Sequence, residues 1–288
     1  MTRRAVPGAL AGRDVGFVCG LTWLSPDVVD ALLDTADSVP PAEALASVAV
    51  AADVDFVFVP AGAAWAADAV AILAAADIAS IWSVTGVFGR VALSLGWVDA
   101  LRMTAAEPGA LAGALAEALH DALVETRAGI AAGVEAVLVA DDLAGATGPL
   151  VAPDYSLDAL VPCYRSIANA ARAVGVPAVF HSDGDVRLLM PSLSRAGFSA
   201  IHLAGIAKNA WGACYTAAHS EGLAVLGGLE AMSVAHAVRR AGERVGRIAL
   251  ADGLLVCDDG GITTAEEVVA LTAAIDIARE VFAAGTTR

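Results

Sequence analysis

Short apolar runs recur along the whole chain, separated by segments rich in alanine and leucine, and this alternation limits the fold more than any other feature. Most runs carry consecutive rather than alternating apolar residues, which is typical of strands buried on both faces. Repeated β–α units of this kind predict a parallel sheet. The runs are VGFVC at 15–19, DFVFV at 55–59, SIWSV at 80–84, EAVLVA at 135–140, PAVFH at 177–181, AIHL at 200–203, LAVLG at 223–227 and DGLLVC at 252–257.

Residues with known preferences mark the ends of the predicted helices. Ser25 followed by Pro26 predicts a capped helix start. The stretch TTAEE at 263–267 predicts a capping box. A glycine precedes three of the predicted strands, where the end of a helix favours a left-handed residue. These glycines are Gly133, Gly175 and Gly197.

Eight β–α units in a chain of 288 residues are typical of a TIM (β/α)8 barrel, and we predict one such domain over residues 1–288. A doubly wound open sheet is the alternative, but no GxGxxG or Walker sequence follows a predicted strand. The gap between the third and fourth runs is long. Within this gap, we predict a helix over 107–131 and a lid or an extra hairpin over 86–106.

Composition and charge exclude several classes of function. Apolar residues make up 58% of the chain, which suits a large core, and the net charge of −15 would repel nucleic acid. Charged residues interrupt the apolar runs well before the roughly 20 residues of a membrane span, and we expect neither a signal peptide nor a membrane anchor. The four cysteines form no CxxC pair, so we expect reduced thiols and a cytoplasmic protein.

Polar or reactive side chains lie at or after the ends of most predicted strands. In a TIM barrel the chemistry is carried by the loops at the carboxyl ends of the strands. We therefore expect one cavity at that rim. The residues predicted to surround it are Asp142, His181, Asp183, Glu230 and Cys257.

Several of these polar residues have a structural alternative. An aspartate after a strand often caps the next helix, which is the preferred interpretation of Asp185 and Asp259. His202 lies inside an apolar strand, where a hydrogen-bonded core histidine is common. Asp141 and Asp142 are adjacent carboxylates that repel each other, so we expect at least one of them to face the pocket.

The second half of the chain resembles the uroporphyrinogen decarboxylase superfamily. The stretch ADDLAGATGPLVAPDYSLDALVPCYRSIANAAR at 140–172 is similar to the acidic loop, P-x-x-Y segment and PCY helix of that family. PAVFHSDGDVRLLMPSLSRAGFSAIHL at 177–203, GGLEAM at 227–232 and the last strand and helix at 252–275 are similar to the units that follow. The resemblance covers 135–288, and over 1–134 it extends only to the strand order. It implies a TIM barrel.

Two chemistries occur in this superfamily, and the sequence favours one of them. Cofactor-free decarboxylases of a tetrapyrrole carry an arginine-rich RQAGRY after the first strand, for the carboxylates of the substrate. Here that place reads CGLTWLSP, without arginine, and a strongly negative chain is badly suited to a polyanion. The resemblance therefore implies the branch that transfers methyl groups from a corrinoid, with decarboxylation as the alternative.

The methyl-transferring branch implies a metal site. Its members use zinc to hold and activate a thiol, with H-x-C ligands after the fifth strand and a cysteine ending the eighth. This chain has His181, then Asp183 in place of the first cysteine, and Cys257 at the final position. These three residues are the implied ligands of zinc or of another divalent metal, with one position open for the acceptor.

The implied function is a methyltransferase that moves a methyl group between a corrinoid such as methylcobalamin and a small acceptor such as a thiol or folate. A corrinoid protein is the expected partner at the rim, and a homodimer is left open. The predicted catalytic residues are Asp141, Asp142 and Glu230, one of the two aspartates orienting the acceptor or a ligand histidine. The predicted substrate-binding residues are Trp23, Thr85 and His202.

Two other functions remain as alternatives. Lys208, the only lysine of the chain, follows the sixth predicted strand and would be the nucleophile of a Schiff-base aldolase. A superfamily member that binds a corrinoid or tetrapyrrole without catalysis would account for the missing cysteine of the H-x-C motif. Metal analysis and a corrinoid-binding titration separate these readings.

Overall fold

The computed structural model describes residues 3–33, 39–206, 210–252 and 254–287, so Lys208 lies outside the described residues. Eight strands form one sheet in which the strands are ordered as in the chain. A bridge between Cys19 and Val256 joins the first strand to the last. This order and closure define the predicted TIM (β/α)8 barrel. The strands are β1 Gly20–Leu21, β2 Phe56–Pro60, β3 Ala79–Thr85, β4 Ala136–Ala140, β5 Ala178–Asp183, β6 Ala200–Ala204, β7 Ala224–Leu229 and β8 Leu255–Asp258.

Helices alternate with these strands. They are α1 Val6–Leu10, α2 Pro26–Leu33, α3 Pro41–Ala51, α4 Ala66–Ala75, α5 Val87–Leu95, α6 Trp97–Ala106, α7 Ala112–Ala132, α8 Pro153–Tyr155, α9 Val161–Arg172, α10 Met190–Ala196, α11 Trp211–Ser220, α12 Ala231–Asp252 and α13 Ala265–Thr286. Turns of 3-10 helix cover Arg3–Ala5 and Pro108–Leu111, a π-helical turn covers Ser156–Leu160, and a small hairpin pairs Ala144–Gly145 with Gly148–Pro149. None of the helices in the described ranges is long and apolar enough to cross a membrane.

Contacts divide the chain into two compact units, and each has its own buried apolar set. One unit contains residues 1–81 with 224–288, and the other contains residues 82–223. Large, fully buried side chains of the first unit include Phe56 and Phe58, and those of the second include Tyr164 and Phe180. The prediction of one domain over the whole chain stays a prediction.

The strands are buried in the way their sequences predict. In β2 and in β4 the first four residues in a row are buried, rather than every second one. Helices cover one face of such a sheet and barrel side chains fill the other, so both faces exclude water. Each fully buried valine, leucine or phenylalanine contributes roughly 1.5–3 kcal/mol to the stability of this arrangement.

The predicted helix boundaries are confirmed. The Ser25 hydroxyl oxygen accepts the Val28 N–H at 3.3 Å at the start of α2. Thr264 and Glu267 form the capping box of α13. The three glycines before strands have the expected positive φ, namely 86° at Gly133, 78° at Gly175 and 107° at Gly197.

The position of the first strand was predicted too early in the chain. The paired residues are Gly20 and Leu21, with the bridge at Cys19, instead of 15–19. Gly16 has a φ of 88°, and its N–H donates to the Asp14 carboxylate at 3.1 Å. This turn takes the start of the apolar run out of the extended conformation, so pairing begins only after it.

The segment 86–106 forms helices α5 and α6, so the predicted extra hairpin was wrong, and the lid stays a prediction. Gly96, with a φ of 89°, separates the two helices. The first turn of α5 is capped by Asp141, whose carboxylate accepts the N–H groups of Phe88 at 2.9 Å and Gly89 at 2.7 Å. The capping residue follows β4, about fifty residues later in the chain, and local sequence signals therefore do not reveal it.

Candidate metal centre

Strand β4 is followed by two adjacent aspartates with opposite surroundings. Asp141 is buried, and besides capping α5 its carboxylate accepts the Tyr164 hydroxyl at 2.7 Å. Burial raises the pKa of Asp141 to about 6, although these hydrogen bonds favour its charged form. The Asp142 side chain is 46% exposed, and its Oδ1 accepts the Asp183 N–H at 2.9 Å. The pair therefore separates into one carboxylate that holds the fold and one that is accessible.

Strand β5 brings a histidine and an aspartate to the same place. Residues two apart in a strand face the same side, so Asp183 lies beside His181. His181 Nε2 lies 3.7 Å from Asp142 Oδ1 and 3.9 Å from Asp183 Oδ1. One potential ligand atom from each residue lies within 4.8 Å of the others, so the three residues are grouped as a metal ligand set would be. We call Asp142, His181 and Asp183 the carboxylate–histidine cluster.

Gly184 lets the chain turn directly after the cluster. Its φ is 82°, and its N–H donates to the Ala204 carbonyl at 2.9 Å. An added Cβ would lie 2.5 Å from the Gly145 carbonyl oxygen. The glycine of the HSDG stretch is thus required by a left-handed conformation and by the close approach of the small hairpin.

The other side of the His181 ring is occupied by a second histidine. His202 on β6 is directly opposite His181 in the strand register, and the two Nδ1 atoms are 2.9 Å apart. The rings stack with centroids 4.9 Å apart and planes 26° apart. Burial, and to a lesser extent His202, lower the pKa of His181 well below its usual range. His181 is therefore a neutral imidazole, which is the form that binds metals.

The chemistry of the cluster fits a divalent metal ion. It offers one imidazole nitrogen and two carboxylate oxygens, a set that zinc accepts and that also suits harder ions such as Mn²⁺ or Fe²⁺. The side chains of Asp142 and Asp183 are 46% and 54% exposed, so a small molecule can reach the ligand atoms. Three protein ligands leave room for a further ligand, as in catalytic zinc sites.

Cys257, the third ligand implied by the sequence, lies on β8 in the unit that contains residues 224–288. Its side chain is fully buried, and burial together with Asp258 and Asp259 raises the pKa of the thiol well above its usual range. A thiol in these surroundings is protonated near neutral pH, and a bound metal would have to displace that proton. Its role as a ligand stays a prediction.

Asp258, which ends β8, is committed to internal hydrogen bonds. Its carboxylate accepts the Thr22 N–H at 2.8 Å, the Thr22 hydroxyl, and the Gly260 N–H at 2.8 Å. Burial raises the pKa of this carboxyl group. Trp23, predicted to bind substrate, is half-buried and packs edge-on against Phe58 with ring centroids 4.9 Å apart.

Thr85 and Glu230 follow β3 and β7 and are both exposed. The Thr85 carbonyl accepts the Arg90 Nε–H at 2.9 Å. The Glu230 carbonyl accepts the Val234 N–H at 2.9 Å in the first turn of α12. Substrate binding by Thr85 and catalysis by Glu230 stay predictions.

Sequence reasoning missed the residues that hold Asp141 in place. Tyr164 donates to its carboxylate, and Gly86 approaches so closely that an added Cβ would overlap the Asp141 side chain. Tyr164 lies in the PCY segment that carries the family resemblance, so the sequence did contain a signal for this residue. Gly86 had no such signal, because its importance depends on a residue far away in the sequence.

Similarity to solved structures extends over nearly the whole chain. A methyltransferase from Methanosarcina mazei superposes with a TM-score of 0.68 at 18% identity, covering 96% of this chain and 98% of that one. A D-allulose 3-epimerase from Methylomonas sp. gives 0.58 at 14% identity, covering 92% and 98%. A chitinase from Chromobacterium violaceum ATCC 12472 gives 0.55 at 11% identity, covering 91% and 99%.

No family model and no curated protein sequence matches this chain. The solved structures named above are less than 25% identical to it and differ among themselves in what they do, so their likeness shows the TIM-barrel fold alone.

Proposed function

We propose that this protein is a metal-assisted methyltransferase that moves a methyl group between a corrinoid and a small acceptor such as a thiol or folate. The observation that carries the proposal is the carboxylate–histidine cluster at the ends of β4 and β5. This is the end of the barrel strands at which TIM-barrel enzymes carry their chemistry. The HSDG resemblance to the methyl-transferring branch and the fold likeness to a methyltransferase support this choice of reaction.

The residues of the cluster have distinct roles in this proposal. His181 would hold the metal through its Nε2 lone pair, and the carboxylates of Asp142 and Asp183 would offset the charge of the ion. The Asp183 N–H holds Asp142 Oδ1 in place before any metal arrives. Cys257, which the resemblance implies as a ligand, would take the place of one of the carboxylates, so that three protein ligands leave one position for the acceptor. A divalent ion, when bound, acts as a Lewis acid and lowers the pKa of an acceptor thiol.

The reaction balances without an added oxidant or reductant. The acceptor sulfur forms a bond to the methyl carbon, and the cobalt–carbon bond breaks with both electrons remaining on cobalt. The thiol proton passes to solvent. The protein has to bind the acceptor beside the cluster and leave the attack line open, and the exposed sides of Asp142 and Asp183 meet the second requirement.

The test uses the purified full chain, loaded with Zn²⁺ or treated with a chelator, together with methylcobalamin and a thiol or folate acceptor under anaerobic conditions. We expect the absorbance of methylcobalamin to fall only with the metal-loaded protein. His181→Ala should lose metal and activity together, and Cys257→Ser should weaken metal binding less completely. His120→Ala, which changes an exposed histidine of α7, is the matched control.

Three outcomes contradict the proposal. Methyl transfer that is undiminished in chelator rejects the metal mechanism. A metal-loaded protein that leaves methylcobalamin untouched with both acceptors, yet binds a corrinoid, is the non-catalytic member of the superfamily. Release of carbon dioxide from uroporphyrinogen indicates the decarboxylase.

A further inference from the structure

A cavity of about 510 Å³ lies beside the residues that lead into strands β1, β2 and β3. The residues that line it all belong to the unit of residues 1–81 and 224–288. TIM-barrel enzymes carry their chemistry at the opposite, carboxyl ends of the strands, so the proposed reaction does not use this cavity. Its volume lies within the range of roughly 300–1,000 Å³ that is usual for small-molecule sites.

The walls of the cavity are largely apolar and include one aromatic ring. Val50, Val54 and Ile78 contribute aliphatic side chains, and Phe17 contributes the ring. Phe17 belongs to the first apolar run of the sequence, but it lies outside the paired residues of β1 because the chain turns at Gly16. The face of an aromatic ring attracts a cation within about 6 Å of its centroid. These walls therefore suit a ligand that has both a carbon chain and a positive charge.

The charged side chains of the cavity are three carboxylates and one guanidinium. The carboxylates are those of Asp53, Asp55 and Asp77, and the guanidinium is that of Arg279. Arg279 is engaged by Asp53, because its Nη1 lies 2.9 Å from the Asp53 carboxylate and its Nη2–H donates to the Asp53 carbonyl at 2.6 Å. Nη1 also lies 3.1 Å from the carboxylate of Asp276. The charged lining therefore favours a cationic ligand over an anionic one.

Asp53 and Asp77 occupy backbone positions that glycine occupies elsewhere in the barrel. They lie between α3 and β2 and between α4 and β3, with φ angles of 49° and 61°, and within the described ranges no other non-glycine residue has a positive φ. An aspartate is strained in this conformation, and its charge opposes the dipole at the end of the helix. Two carboxylates thus stand at unfavourable positions, and both line the same cavity. The glycines that lie between helix and strand before β4, β5, β6 and β7 are Gly133, Gly175, Gly197 and Gly222.

We propose that this cavity binds a small aliphatic diamine, with one ammonium group at Asp77, the other at Asp55, and the methylene chain against the apolar walls. The inference does not depend on the proposed reaction. Asp77 is exposed and Asp55 is half-buried, so the two ends of the ligand would be bound at different depths. Asp55 already accepts the Cys19 N–H at 2.9 Å, and a carboxylate can accept further donors beside it.

A single metal ion fits this cavity less well than a diamine. A metal site needs ligand atoms grouped around one point, and within the described residues such a group of three occurs at the carboxylate–histidine cluster. The carboxylates of the cavity are not grouped in this way, so a ligand that meets two of them must carry its charges at separate points. The apolar walls favour carbon chains, whereas a hydrated ion gains nothing from them.

The test is calorimetric titration of the purified full chain with putrescine, a four-carbon diamine, in about 0.15 M salt, which screens the attraction of the overall charge. We expect one putrescine to bind per chain and to raise the unfolding temperature. Butylamine keeps the chain and one ammonium group and should bind roughly tenfold more weakly, as expected for the loss of a charged hydrogen bond. The corresponding butanediol should not bind. A diamine that fails to bind, or binds no better than butylamine, overturns the inference.

Matched charge variants test whether the two aspartates hold the diamine. Asp55→Asn and Asp77→Asn each remove one charge without shortening the side chain, and asparagine also tolerates the left-handed backbone at position 77. We expect putrescine affinity to fall roughly tenfold for Asp55→Asn and about threefold for the more exposed Asp77→Asn. Asp30→Asn, at an exposed position of α2 in the same unit, is the control and should keep the wild-type affinity. Equal affinities in the three variants would assign the binding to the overall charge and overturn the inference.

A space-filling variant tests the cavity itself without changing a charge. Ala76 lines the cavity and is exposed, so Ala76→Phe should fill the space and weaken putrescine binding. Ala75→Phe, at the neighbouring exposed position outside the lining, is the matched control. Undiminished binding in Ala76→Phe, with an unfolding temperature equal to that of Ala75→Phe, would place the diamine elsewhere and overturn the inference. None of these measurements uses methyl transfer, so either proposal can fail while the other holds.

Discussion

The ends of strands β4 and β8 carry similar residues that the structure uses differently. At β8, Cys257 and Asp258 are both fully buried, and the Asp258 carboxylate accepts three hydrogen bonds from the backbone and side chain around it. At β4, Asp141 is used in the same way, but its neighbour Asp142 is 46% exposed and faces His181. A carboxylate at the rim of a barrel is therefore not a ligand by position alone. It is a candidate ligand when its side chain stays exposed, as that of Asp142 does although its Oδ1 accepts the Asp183 N–H.

The same contrast is visible in the electrostatics. Burial raises the pKa of Asp141 to about 6 and raises that of Asp258, although hydrogen bonds favour the charged form of both. Burying either carboxylate is costly, and the hydrogen bonds from the donors around it offset part of that cost. The comparison predicts that changes at Asp258 and around Asp141 affect stability, whereas changes at Asp142 affect metal binding.

The largest expected effect on stability is that of Asp258→Ala. The substitution leaves the Thr22 N–H, the Thr22 hydroxyl and the Gly260 N–H without their acceptor. Buried donors without a partner cost about 1–3 kcal/mol each, and partial relaxation reduces the sum, so we expect a loss of about 4 kcal/mol. Urea unfolding measures it, with Asp30→Ala on the exposed side of α2 as the control. A loss of stability below about 1 kcal/mol would show that Asp258, like Asp142, is not needed to hold the fold.

A somewhat smaller loss is expected from Gly86→Ala. The added methyl group would overlap the Asp141 side chain, which is fixed by its bonds to α5 and to Tyr164. Overpacking of this kind costs about 1–3 kcal/mol. Gly113→Ala is the matched control. A Cβ added at Gly113 would have no atom within 4 Å, and the residue lies in helix α7, where alanine is preferred to glycine. The two variants should shift the unfolding midpoint in opposite directions.

The fold was predictable because its signals are local. Consecutive apolar residues marked seven strands closely, and glycines and capping residues marked the helix ends. The first strand was misplaced because a glycine turn interrupts an otherwise apolar run. The helices of 86–106 were missed because the cap of α5 comes from Asp141 on another part of the chain.

The candidate site was predictable only where its residues share a strand. His181 and Asp183 are two positions apart in β5, and the spacing alone places them together. Asp142 was expected to be catalytic or to orient a ligand, and its place in the cluster depends on an inter-strand contact. The pairing of His202 with His181 depends on the register of β5 and β6, which a single sequence does not specify.

The pH dependence of stability gives the third prediction. The pKa of Asp141 is about 6 in the folded protein, against 3.8 for an unperturbed carboxyl group, so the folded state binds the proton more tightly. Its contribution is fully present below pH 3.8 and is lost as the pH rises through about 6. At about 1.36 kcal/mol per pKa unit, the loss is on the order of 3 kcal/mol.

Asp141→Asn removes this titration, so the measurement is the difference between the two proteins. Unfolding free energies of wild type and Asp141→Asn are determined from pH 4 to pH 7. The lowered pKa of His181 acts in the opposite direction at acid pH, but it is present in both proteins and cancels in the difference. Wild type should lose stability relative to the variant as the pH rises. Parallel curves would mean that Asp141 is already ionised throughout and resembles an exposed carboxylate.

The smallest effect on stability is expected at Asp142, where the effect on metal binding is large. Asp142→Asn removes one charge from a half-exposed side chain, and the Asn oxygen can still accept the Asp183 N–H. The free energy of unfolding, measured in chelator, should therefore change by less than about 0.5 kcal/mol. Zinc at 100 times the dissociation constant of wild type should stabilise wild type by about 2.7 kcal/mol, and the variant much less, because a neutral amide is a poor zinc ligand. Asp121→Asn, on the exposed surface of α7, should behave as wild type in both measurements. If Asp142→Asn instead destabilises the metal-free protein and leaves the zinc effect intact, Asp142 belongs with Asp141 and Asp258 among the residues that hold the fold, and the carboxylate–histidine cluster is not the metal site.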